Sequence, residues 1–252
     1  LAKKKNLTRE NLEDVSIYEE LAERRNATYH PNKVRLNDIS IRIKCLNEKQ
    51  KKLRRAIEDK DVVISTGPAG TGRTYMSLMT ALHLLKTEPK YRRLVLIKSL
   101  QIIKGEDLGY LPGTVAEKME PYMMSFTGNL DKILGHPTIT AALLDQGVIE
   151  IFPIAYVRGV TIDNAIVIID EAQNIDMHTF KTIITRIGHS CKMVFLGDTE
   201  QIDRRVKSES CLARVGQLFE DVDYADSVVF TDEESVRNPI IPKLLKLLKD
   251  EE

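Results

Sequence analysis

The apolar positions of this chain change their period repeatedly, and each change marks an element. Six short apolar runs read as strands: Val62-Val63-Ile64-Ser65-Thr66, Leu94-Val95-Leu96-Ile97, Ile149-Glu150-Ile151-Phe152, Ala165-Ile166-Val167-Ile168-Ile169, Met193-Val194-Phe195-Leu196 and Ser227-Val228-Val229-Phe230. The run at 165–169 is continuously aliphatic, the pattern of a parallel strand buried on both faces. Helical spacing appears between the runs. Asn47 to Asp59 places Leu53, Ala56 and Ile57 on one side, with Asn47 as N-cap. Arg73 to Leu85 is apolar on most faces, as expected of a helix packed against a sheet, and Pro89 ends it. Met177 to Ile187 and Ile240 to Lys249 read as two further helices, and Gly105 to Gly113, rich in Gly and Pro, as a connecting or functional loop. Strands alternating with helices predict an α/β fold: a doubly wound, mostly parallel sheet with helices on both faces.

Composition narrows this picture. At 252 residues and 42% hydrophobic content the chain supports one core domain, with an arm. Residues 1–35 are polar and predict a basic N-terminal arm; residues 36–252 predict a single domain. Lys+Arg and Asp+Glu both number 37, which excludes a polycation, yet residues 1–60 hold 16 basic against 10 acidic side chains. That excess reads either as a solvated face or as a nucleic-acid contact. No apolar run approaches the roughly 18 residues of a membrane span, and Leu1-Ala2-Lys3-Lys4-Lys5 opens no signal-peptide pattern. Cys45, Cys191 and Cys211 are odd in number and widely spaced, so neither a disulfide framework nor a zinc site is expected, and a reducing, cytoplasmic setting fits best.

The chemistry lies where strands end. Gly67-Pro68-Ala69-Gly70-Thr71-Gly72-Arg73-Thr74 follows one strand and opens a helix, the context required of the phosphate-binding loop G-x-x-x-x-G-K-[ST]. Glycines let the backbone curl until several N–H groups face one anion, and the helix N-terminus adds its dipole. Thr74 offers a hydroxyl to Mg²⁺. Arg73 stands where the motif has Lys. It keeps the charge but is planar and wider, so nucleotide binding should survive while hydrolysis, which depends on fine positioning, should fall.

Asp170-Glu171 closes the most apolar strand, at the carboxyl end where open parallel sheets bind ligands. Asp170 is suited to hold Mg²⁺ and Glu171 to polarise an attacking water; alternatively, Asp170 only caps the next helix. Gly197-Asp198-Thr199-Glu200-Gln201 follows the next strand. Gln201 either senses a γ-phosphate or sits in an ordinary turn.

Together these stations resemble the PhoH family, phosphate-starvation-inducible P-loop ATPases similar to the core of superfamily-one helicases. The resemblance runs from about Leu46 to Leu245. It is carried by the loop, by Asp170-Glu171-Ala172-Gln173-Asn174, by Thr185-Arg186-Ile187-Gly188, by Gly197-Asp198 with Gln201-Ile202-Asp203, and by Val236-Arg237-Asn238-Pro239. Leu108 to Gly113 resembles the family's insertion after the second strand. Arg204-Arg205 and Cys211 depart from the family's usual residues.

The resemblance implies ATP and Mg²⁺ as cofactors, hydrolysis coupled to binding or unwinding single-stranded RNA (a helicase, with a linked ribonuclease activity as a further expectation), and a ring-shaped homo-oligomer, a hexamer. Within that ring Arg237 would reach a neighbour's γ-phosphate, as arginine fingers do; otherwise it is a surface residue. Gln50 resembles an adenine-reading Gln, whose amide pairs with the N6/N7 edge of the base; a solvated helical Gln is the other reading. The alternatives to an RNA-coupled ATPase are a non-hydrolysing, ATP-dependent scaffold and a small-molecule kinase.

Overall fold

The structure, a computed structural model, describes residues 34–99, 115–157, 159, 161–198, 210–220 and 222–236. Among these, six strands form one sheet: β1 (Val62–Thr66), β2 (Arg93–Lys98), β3 (Ile149–Pro153), β4 (Ala165–Asp170), β5 (Cys191–Gly197) and β6 (Ala225–Val229). Their order is β3-β2-β4-β5-β1-β6 and every pairing is parallel. The expected α/β sheet is therefore observed, with all six strands running one way.

Side chains alternate across the sheet and feed two cores. Val63, Leu94, Leu96, Ile166, Ile168, Val194 and Leu196 face one side; Ile64, Val95, Ile97, Val167, Ile169, Met193 and Phe195 face the other. The first side is covered by α1 (Glu48–Asp59), α2 (Arg73–Thr87), α3 (Val115–Leu134) and α4 (Pro137–Asp145), through Leu53, Leu82, Phe126 and Leu143 among others. The second is covered by α5 (Met177–Ile184) and α6 (Leu212–Leu218), through Phe180, Ile183, Leu212 and Val215. Burial on both faces explains the aliphatic strands: β1 and β5 are buried along their whole length, and β4 in all but its last residue.

Three helices have no counterpart in the sequence reading. Helix α3 carries Pro121 and Gly128, both poor helix formers, which break the pattern that would announce it. Helix α4 begins with Pro137 at its first turn, and the His136 side chain accepts the Thr138 N–H. Helix α6 is seven residues long, too short for a periodic signal. Helix α5 stops at Ile184 and not at Ile187, because the chain turns there so that Ile187 can pair with Ile162. Ahead of α1 the chain is irregular apart from a short 3-10 turn at Leu36–Asp38, and Val34, Leu36, Ile39, Ile41, Ile43 and Cys45 pack on the first core. The residues of the basic arm up to position 33, the loop Gly105–Gly113 and the helix expected at Ile240–Lys249 lie outside the described residues.

One core position conflicts with the rest. Lys192, on β5, is 2% exposed, and its Nζ donates to the Lys60 carbonyl. Burial pushes its ammonium down to about 8, against the attraction of Asp61. A folded-state value below the unfolded one means that the unfolded chain binds the extra proton between about pH 8 and about 10.5. Stability is thus lost as pH falls across that window and is flat below it. Lys192→Met should raise stability at pH 7 by about 2 kcal/mol, the order found when buried charge gives way to apolar volume. The gain should shrink toward pH 10 in denaturant titrations run at both pH values; a gain independent of pH would refute the account.

Candidate functional site

Strand β1 ends at Thr66, and the chain turns at once through Gly67 to Gly72 into α2. Gly67, Gly70 and Gly72 all have positive φ, a conformation that side-chain-bearing residues adopt at a cost. At Gly67, a Cβ would also stand 2.5 Å from the Phe230 carbonyl oxygen. Within the loop the Thr71 hydroxyl donates to the Pro68 carbonyl at 3.2 Å. The firmer support comes from outside. The Gln50 side chain donates to the Thr71 carbonyl at 2.9 Å, and the Val236 N–H donates to the Gly70 carbonyl at 2.9 Å. The Ala69 N–H donates to Asp198 Oδ2 at 3.0 Å. Arg73 Nη1 donates to the Gly67 carbonyl and, at 2.9 Å, to the Gly197 carbonyl.

Arg73 is therefore not extended over the loop. It folds beneath it and ties the end of β1 to the end of β5. Burial lowers its affinity for the proton, and Asp198, Asp170 and Glu171 oppose that shift. The remaining guanidinium nitrogens, Nη2 and Nε, stand outside these two bonds, so the fork keeps donors for an anion.

Asp170 ends β4, separated from β1 by β5 in the sheet. The Thr74 hydroxyl donates to Asp170 Oδ1 at 3.4 Å, so the first turn of α2 and the end of β4 meet. Burial, and next the charge of Glu171, push the Asp170 carboxyl up to about 6, while Lys98 and Arg73 pull it down. A buried carboxylate beside a hydroxyl, with a second acid adjacent, is a donor set that Mg²⁺ suits: the ion takes few protein oxygens and completes its shell with water and phosphate. Glu171 adopts φ 56, the left-handed region, at the start of the short turn Ala172–Asn174.

The structure thus brings Gly67 to Thr74, Asp170 and Glu171 together at the carboxyl ends of β1 and β4, on either side of β5. Gln50 is there too, but 2% exposed and turned onto the loop: its Nε2 serves Thr71 and its Oε1 accepts the Leu46 N–H at 2.8 Å. Gln201 and Arg237 lie outside the described residues. Two contributors were not assigned from sequence. Asp198 takes a loop N–H, and Gln173, 1% exposed, joins Glu171 to the end of β5. The available signals were their places after the ends of strands and in two of the strings that carry the family resemblance.

A parallel α/β sheet whose first strand runs through a glycine-rich loop into a helix, with an acid pair at the end of the strand two places away, is the P-loop NTPase fold. Within that class the chain belongs to the PhoH family: the model for PhoH-like protein matches residues 42–249. It is 36% identical over 207 residues to a PhoH-like protein of Bacillus subtilis (strain 168), covering 82% of this chain and 63% of that one. It is 36% identical over 200 residues to Protein PhoH of Escherichia coli (strain K12), covering 79% and 56% respectively. The chain spans about three-fifths of the length of these relatives. Among solved structures it resembles the large terminase of a thermophilic bacteriophage (TM-score 0.46, 13% identity, 81% of this chain and 50% of that one). It also resembles the Pif1 helicase of Candida albicans (TM-score 0.37, 16% identity, 82% and 44%).

Because Gln50 supports the loop from behind, Gln50→Ala should do two things. It should lower stability by about 1–3 kcal/mol, the cost of leaving buried groups without partners. It should also weaken nucleotide binding, measured by calorimetry, beyond what the loss of stability explains. A variant with parental affinity and parental melting temperature would show that the loop does not need this support.

Proposed function

We propose that this chain binds ATP with Mg²⁺ and hydrolyses it slowly, and that hydrolysis is coupled to single-stranded RNA in a homo-oligomeric ring. The convergence of the loop with Thr74, Asp170 and Glu171 carries the ATP reading. The RNA and ring parts, with the hexamer and helicase expectation, are supported by family membership alone.

In this reading the N–H groups of Gly70 to Thr74, at the N-terminus of α2, receive the phosphates. Thr74 and Asp170 would hold the metal, which when bound neutralises charge on the phosphoryl oxygens. Glu171 orients a water and takes its proton as that water attacks the terminal phosphorus; ADP leaves with the bridging oxygen. Gln201 senses the γ-phosphate, and Arg237 of one subunit supplies a cation at the site of the next. Gln50 reads adenine through the amide valences left over from its bonds to Thr71 and Leu46.

The clamp made by Arg73 favours a second reading, a nucleotide-dependent scaffold that turns over little or not at all. A Lys at this position would bring a compact charge free to follow the phosphates, whereas Arg73 is engaged with two backbone carbonyls. Phosphate release, with and without single-stranded RNA, separates the readings. Arg73→Lys should hydrolyse ATP at least about tenfold faster than the parent, the scale on which small misplacements of a reacting group act, and RNA should stimulate both chains. Nucleotide-dependent oligomerisation with no phosphate release from either chain would favour the scaffold. No heat of association with ATP and magnesium would refute both.

A further inference from the structure

Gln173 has no part in the chemistry above, yet both ends of its amide are held. Its amide is buried between the two strand ends that carry the site. Oε1 accepts the Asp198 N–H at 3.1 Å, and Nε2 donates to Glu171 Oε2 at 2.7 Å. The Asp198 carboxylate in turn accepts the Ala69 N–H of the phosphate loop at 3.0 Å. A chain of hydrogen bonds therefore runs from the loop through Asp198 and Gln173 to Glu171. We infer that Gln173 is a positioning residue: it fixes the Glu171 carboxylate in the orientation needed to take a proton from water. This rests on the hydrolytic reading of the site.

Three observations support the assignment. First, the orientation of the amide is determined. The Asp198 N–H can only donate, so it must meet the amide oxygen, which leaves Nε2 facing Glu171. A Glu in place of Gln173 would satisfy Asp198 but confront Glu171 with a second acceptor. A Met would fill the volume and satisfy neither.

Second, the end of β5 leaves room for the amide. A Cβ on Gly197 would stand 2.4 Å from Leu212 Cδ2 and 2.8 Å from both the Gln173 backbone N and its Oε1, so the last residue of β5 must lack a side chain for Leu212 and Gln173 to sit there. Third, Glu171 is held in a left-handed conformation, φ 56, that a residue with a Cβ adopts only at a cost. This backbone turns Glu171 away from the path of β4. Among the described residues, Gln173 is the hydrogen-bond donor that its carboxylate meets. Without it the carboxylate is free to rotate, and a displacement of about 1 Å at a reacting group is worth on the order of a hundredfold in rate.

The test uses the full chain and its Arg73→Lys form as parents, with Gln173→Met, Gln173→Glu and Glu171→Gln introduced into each. Readouts are kcat and KM for ATP, the Kd for ADP with magnesium, and the melting temperature. Both Gln173 variants should lose kcat about 10- to 100-fold, with KM and Kd within about threefold of the parent. Gln173→Glu, which keeps its acceptor for Asp198, should lose as much as Gln173→Met. In a Glu171→Gln background, Gln173→Met should cost little more, because the group it positions is already gone. The inference is overturned by parental kcat in a folded Gln173→Met chain. It is also overturned if Gln173→Glu is fully active while Gln173→Met is not, or if the losses in kcat are additive with Glu171→Gln. Nucleotide binding without turnover in both parents would refute the hydrolytic reading and this inference with it.

Discussion

A phosphate loop works only if its N–H groups stay directed outward when nothing is bound, and that requires something behind it. Here the loop is held by hydrogen bonds arriving from four places: Gln50 from α1, Val236 from the chain beyond β6, Asp198 beyond β5, and Arg73 from the helix that the loop opens. Three of them use the loop's carbonyls, and Asp198 takes the Ala69 N–H. A loop of this kind cannot be a local product of its glycines. The glycines permit the curvature; the tertiary bonds select one curved state among many.

The same constraint explains the layout of the sheet. β5 lies between β1 and β4, so its last residue, Gly197, is within reach of both the loop and the acid pair. Arg73 bonds its carbonyl, and Leu212 and Gln173 occupy the space that a Cβ would need. A side chain at Gly197 would separate the two halves of the site. Parallel strands make this possible because all their carboxyl ends lie at one edge, where the charges of Asp198, Asp170 and Glu171 all act on the Arg73 guanidinium. Burial, and next the charge of Glu171, make Asp170 reluctant to ionise, and a divalent cation would relieve it.

Much of this was legible in the residues. The aliphatic strands, the loop and the acid pair each depend on local pattern, and each strand lies where its apolar run places it, with ends shifted by a residue or two. What was not legible depended on contacts between distant segments. The order of strands has no local signature. Pro121 and Gly128 interrupt the periodicity of α3, which forms because Phe126, Leu130 and Leu134 bury against the sheet. Gln50 reads as one more polar residue on an amphipathic helix until the helix is docked on the loop. Gln173 likewise reads as a polar neighbour of two acids until β5 is laid beside it.

Arg73 shows why a motif match and a mechanism are different claims. The position still supplies a cation, so the electrostatic requirement of the loop is met. What changes is the geometry of the donor. An ammonium has three equivalent N–H groups on a flexible stem and can move with a phosphate as bonds break. A planar fork engaged by two carbonyls is committed to the protein before any ligand arrives. In the proposed reading, the hydrogen bonds that steady the loop for binding would be the same ones that hold the cation back from the transferred phosphoryl group. The two demands, a firm loop and a mobile charge, draw on one side chain, and in this chain the firm loop is favoured.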